Sequence, residues 1–171
     1  MRIYLLLLIA LIFISCQDKA EDYAVVILED GFINSEFLQT INPPEKALLS
    51  WYLFAYGNEC DKESKKIKCK LLKELKIEDE CNPDHLNNIL QWFSNDILAK
   101  YKLKKCPNIK VDSHIQNKFI SISLERKGDI LSINYHIMGL NTVGEKSWNM
   151  NKTGSYLIEN NTFTKLETNE K

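Results

Sequence analysis

The residues of this 171-residue chain that could carry chemistry are its five cysteines, its three histidines and two acidic clusters. Cys60, Cys69, Cys81 and Cys106 form an even set once Cys16 is set apart. A zinc site draws on close pairs such as C-x-x-C, and these spacings are too wide for one. Two disulfides are expected instead, as in an exported chain. That use leaves no spare thiol for a Cys–His nucleophile. His85, His114 and His136 never stand three or four residues apart, so no helical metal pair is expected. His114 follows Asp112 and Ser113, but catalytic triads assemble in space, not along the chain. No nucleophile elbow, P-loop or dinucleotide fingerprint occurs. Glu29-Asp30 and Glu78-Asp79-Glu80 read as solvated turns rather than carboxyls converging on a cleft. The expectation is a chain that is not an enzyme, with no catalytic residue, no metal and no cofactor.

Binding is the remaining class. Lys and Arg total 22 against 23 Asp and Glu, so no global field drives the chain onto a polyanion. The only arginines are Arg2 and Arg126. Bidentate reading of phosphate or guanine leans on Arg, so no nucleic-acid partner is expected. The lysines do cluster: Lys100, Lys102, Lys104, Lys105 and Lys110 lie in a stretch without acids between Asp96 and Asp112. Lys102, Lys104 and Lys105 are therefore candidate interface residues. Trp92, expected to miss the inward stripe of its helix, and Trp148, between polar neighbours, are candidate aromatic anchors.

The elements that must position these residues are legible in outline. Residues 23–28 form a short β-branched run, read as an edge strand. Asn42, Pro43 and Glu45 give a helix start with capping-box spacing, and 47–56 is apolar except for Ser50. A second helix carries Ile67, Leu71, Leu72 and Leu75 on one face. Asn82-Pro83 starts a third, whose stripe is Leu86, Ile89, Leu90, Phe93, Ile97 and Tyr101. Beyond Cys106 the period becomes two. Ile120, Ile122 and Leu124 precede a turn at Arg126-Lys127-Gly128-Asp129. Leu131, Ile133, Tyr135 and Ile137 then alternate with Ser132, Asn134 and His136. Two short strands, 146–150 and 155–158, follow around Thr153-Gly154, and Asn160-Asn161 turns into 162–166. The expected fold class is α+β: a three-helix N-terminal part, disulfide-stapled, packed on a C-terminal antiparallel β-meander of four to five strands. Helices alternating in direction favour Cys60–Cys106 and Cys69–Cys81. Cys81–Cys106 is disfavoured, because a helix of about 25 Å separates them and bridged Cα atoms lie within ~7 Å.

The leader says where the chain goes. Arg2 precedes an apolar run over 5–14, too short for a span of ~20 residues. Phe13-Ile14-Ser15-Cys16 resembles the lipobox of bacterial lipoproteins, with Phe13 where Leu is usual. The resemblance implies a type II signal peptide over 1–15 and acyl chains, palmitate among them, on Cys16. It implies an outer-membrane location, since Gln17 rather than Asp follows the cysteine. The periplasmic face and the cell surface both stay open. Residues 16–41 would be lipidated cysteine and tether, 42–167 one domain and 168–171 a polar tail. No family is recognised for that domain. The expected function is a non-enzymatic protein-binding module, of inhibitor or immunity type. The alternatives are a ligand-binding or hydrolytic envelope domain, with Asn134, Tyr135 and His136 at a cavity between helices and sheet, and a structural envelope lipoprotein.

Overall fold

The structure, a computed structural model, describes residues 21–55, 67–77, 82–105 and 114–166. Strands β1 (Tyr23–Glu29) and β2 (Phe32–Ile33) come first. Helices α1 (Ser35–Thr40), α2 (Pro43–Ala55), α3 (Ile67–Glu74), α4 (Pro83–Trp92) and α5 (Ile97–Lys105) follow. Strands β3 (Ile115–Lys127), β4 (Ile130–Asn141), β5 (Lys146–Glu159) and β6 (Thr162–Leu166) complete the described residues. All six strands join one antiparallel sheet, in the order β2-β1-β3-β4-β5-β6.

This corrects the expected architecture. The sheet has six strands rather than four to five, and five helices, not three, are described. Three physical causes account for the difference. First, the strand read over 23–28 joins the main sheet as β1, between β2 and β3. It pairs with β3 from Tyr23↔Arg126 to Glu29↔Ser121, and Asp30-Gly31 turns it into β2 with positive φ at both residues, as a two-residue hairpin requires. A bulge at Ile27 lets two successive residues, Ile27 and Leu28, enter the core. Second, the third helix breaks. The Asp96 carboxylate accepts from the Ala99 N–H at 2.9 Å and caps a new helix. Third, β5 runs unbroken through Thr153-Gly154. Gly154 is no turn: the Tyr52 hydroxyl occupies the space a Cβ would need there, and it reaches the Tyr156 hydroxyl at 3.2 Å.

The alternation expected for β4 matches: Leu131, Ile133, Tyr135 and Ile137 are buried, while Ser132, Asn134 and His136 are not. The helices cover the buried face, α2 meeting β4, α3 meeting β3 and α4 meeting β6. α2 is the central helix, buried along 47–53, as its apolar run demands. Between helices and sheet lies packed aromatic material. Phe93 meets Trp51, Tyr156 and Phe163, with ring centroids 5.4, 6.0 and 5.0 Å away. Tyr52 stands edge-on to Tyr135 at 5.1 Å.

The buried charge sits at one end of α2. Glu45 is fully buried and accepts from Arg126 Nη1 at 2.8 Å and from the Tyr23 hydroxyl at 2.9 Å. Glu45 thus serves β1 and β3 rather than closing a capping box with Asn42. Burial, reinforced by the Glu45 carboxylate, pushes the Tyr23 phenol well above its ordinary pKa. The same corner ties down the β3–β4 turn: Arg126 Nε donates to Gly128 O at 3.1 Å and Gly128 N to Asp22 Oδ1 at 2.7 Å.

Candidate functional site

The broken helix decides what the surface offers. A single helix from Leu86 to Tyr101 would carry Ile97 and Tyr101 inward. The turn at 93–96 re-phases the chain, so α5 instead buries Ala99 and Leu103. Its outward face then shows Ile97 (81% exposed), Leu98 (73%) and Tyr101 (55%). Neighbouring exposed apolar groups on one short helix are uncommon away from binding surfaces. Lys102, Lys104 and Lys105 belong to the same helix. The expected lysine cluster and an unexpected apolar patch therefore share one element. The lysines are a signal of composition along this helix. The exposed apolar face was readable only from Ser94-Asn95-Asp96, a capping run inside an otherwise helical period.

The two tryptophans part company. Trp92 is half-buried with its ring 5.2 Å from Phe163. The exposure expected of Trp92 is thus only partial. Trp148 is 37% exposed, and its indole lies over Gly139, directly opposite in β4. A Cβ at Gly139 would collide with that ring, so the glycine is what lets the indole lie flat. Met138, Leu140 and Val143 are also exposed around this end of the β4–β5 hairpin.

The histidines do not converge. His136 Nε2 lies 3.3 Å from Asn149 Oδ1 on the sheet face opposite the helices. Asn134, on that same face, accepts from the Thr153 hydroxyl at 2.7 Å, while Tyr135 points into the core. The trio imagined around one cavity is therefore split across two faces. His85 stands edge-on to Phe54 with centroids 5.6 Å apart, and no hydrogen-bond partner reaches its Nε2 among the described residues. Burial and the nearby Lys46 ammonium pull its pKa down to about 4. His114 lends its carbonyl to Thr142 N at 2.9 Å, closing the end of the sheet. Glu29-Asp30 is the exposed β1–β2 turn, and Glu78-Asp79-Glu80 lies outside the described residues.

Among the described residues, no three His, Cys, Asp or Glu side chains gather to hold a metal ion. Nor is any described helix long and apolar enough to cross a membrane. Cys69 sits on α3 and is disulfide-bonded. Cys16, Cys60, Cys81 and Cys106 lie outside the described residues. The pairings Cys60–Cys106 and Cys69–Cys81 and the lipid anchor at Cys16 each involve at least one of those residues. Compared with protein-family models, with curated proteins and with solved structures, the chain matches none.

Proposed function

We propose that this chain is a non-enzymatic, lipid-anchored envelope protein that binds another protein through α5, as an inhibitor or immunity-type module does. The observation that carries the reading is the outward Ile97–Leu98–Tyr101 patch on a lysine-rich helix. Apolar groups of this kind supply contact energy when a partner excludes water from them. Lysines on the same helix would steer encounter with an acidic partner and add salt dependence. The complementary surface is then an apolar groove with an acidic rim. The leader and Cys16 supply the location, at the outer membrane. The Cys60–Cys106 and Cys69–Cys81 bridges would hold the helical layer with roughly 2–4 kcal/mol each. Packed aromatic rings between helices and sheet favour this reading over a ligand cavity.

The test is affinity capture by the tagged full chain, extracted from its envelope in mild detergent, with envelope and secreted proteins of the same cell. One protein should be recovered reproducibly, and recovery should fall at least tenfold with Ile97→Ser/Leu98→Ser. Phe32→Ser, at an exposed apolar site on β2 (83% exposed), should leave it unchanged. Equal recovery by all three chains would remove α5 as the site. Recovery of no protein would favour a structural envelope role.

A further inference from the structure

The C-terminal part of β5 is covered, but its first nine residues are not. β6 pairs with 155–159, and no described strand lies beyond 146–154 on that side. The register shows which groups this edge presents. Ile158 N donates to Asp129 O at 2.8 Å, on the β4 side. Backbone groups alternate sides along an antiparallel strand, so the even-numbered residues of β5 bond toward β4. The odd-numbered Ser147, Asn149, Asn151 and Thr153 turn their N–H and C=O groups outward. The Asn160-Asn161 turn agrees, because it closes the odd-numbered Glu159 against Thr162 of β6. All four edge residues are exposed.

We propose that this edge pairs with the same edge of a second copy of the chain, antiparallel and centred on Met150. A twofold contact places each residue opposite its mirror position about the centre. With Met150 at the centre, Asn149 faces Asn151 of the second copy and Ser147 faces Thr153. Every outward N–H and C=O of these four residues then finds a partner. The carboxamides and hydroxyls continue the polar lattice already present on that face, where the Ser132 and Ser155 hydroxyls meet at 2.8 Å. On the helix side, Met150 meets Met150, and Lys152 lies opposite the half-open face of Trp148, a cation–π arrangement. The neighbouring registers fail. Centring on Asn149 sets Lys146 against Lys152, like charge on like. Centring on Asn151 sets Ser147 against Ser155, whose edge Leu166 already holds. The two lysines that blunt the strand against indiscriminate addition therefore also select one register.

This contact is independent of α5, so either proposal can fail alone. The test is sedimentation equilibrium of the full chain in density-matched detergent, from about 1 to 100 µM. The wild type should reach twice the chain mass. Asn151→Pro should stay at the chain mass, because proline removes an outward N–H and no bond to β4. Its circular dichroism and Tm should match wild type. Met150→Lys, which sets two ammonium groups on the twofold axis, should weaken association at least tenfold. Ile97→Ser/Leu98→Ser should associate as wild type does. A wild type at chain mass throughout, or an Asn151→Pro chain that still doubles its mass, overturns the proposal.

Discussion

Glu45 shows how a single side chain can organise a fold. Its carboxylate is fully buried against Arg126, which is itself only 12% exposed. Removing one member of a buried pair strands the other charge, at a cost of roughly 3–5 kcal/mol. Arg126→Met should lower unfolding stability by about that amount in urea melts. Glu45→Met/Arg126→Met should recover part of it, since an apolar pair leaves no stranded charge. Fully additive losses would refute the coupling. Nothing in the spacing of the sequence announced this pair; the one clue was that Arg126 is the sole arginine beyond the leader in a lysine-rich chain. His85 contributes a pH dependence. Its folded pKa of about 4 lies below the unfolded value near 6.5. Between these values the unfolded chain binds the extra proton, so stability falls as pH drops from about 6.5 to 4. His85→Gln should make that decline shallower, while differing little in slope above pH 7. Urea midpoints measured across the range would check it.

At the scale of elements, legibility followed locality. The β4 alternation could be read residue by residue because one face is buried and period two is a local property. The break between α4 and α5 could not be read from period alone, because Leu86 through Tyr101 fits an unbroken helix. Asp96 wins by capping: its side chain satisfies an N–H that a continuous helix would have bonded internally. Asp96→Ala should cost about 1 kcal/mol and speed amide exchange across α5, with little change in β4. Unchanged exchange at Ala99 would show that the cap does not hold the helix. The unbroken β5 was hidden for the opposite reason. Thr153-Gly154 looks like a local turn, and only Tyr52, about a hundred positions earlier, explains why glycine stands there. The candidate surface was half visible in the same way: the lysines of α5 are a compositional signal, while Ile97 and Leu98 face outward only because the helix was re-phased.

For the whole molecule, the decisive fact is that the sheet is assembled from both ends of the chain. β1 reads as a strand by itself, but its neighbour β3 lies beyond all five described helices, and no short-range pattern names it. Of the two β-bulges described, the one at Ile27 adjusts that long-range pairing and the one at Ile120 adjusts the β3–β4 ladder. One of them also gives Asp30 N a partner in Ile120 O at 3.1 Å. The helical layer and the β3–β4 ladder are, by contrast, made of neighbours in sequence.

The β1–β3 contact has a consequence in time. Loop closure over roughly a hundred residues contributes nothing until both strands exist, and such topologies fold slowly. A chain emerging N-terminus first exposes Val25, Ile27 and Leu28 long before β3 is made. During that interval the early strand is an orphan with an apolar face. It must be shielded by a chaperone or by the nascent helices, and the synthesis of β3, after every described helix, decides when the first strand finds its place.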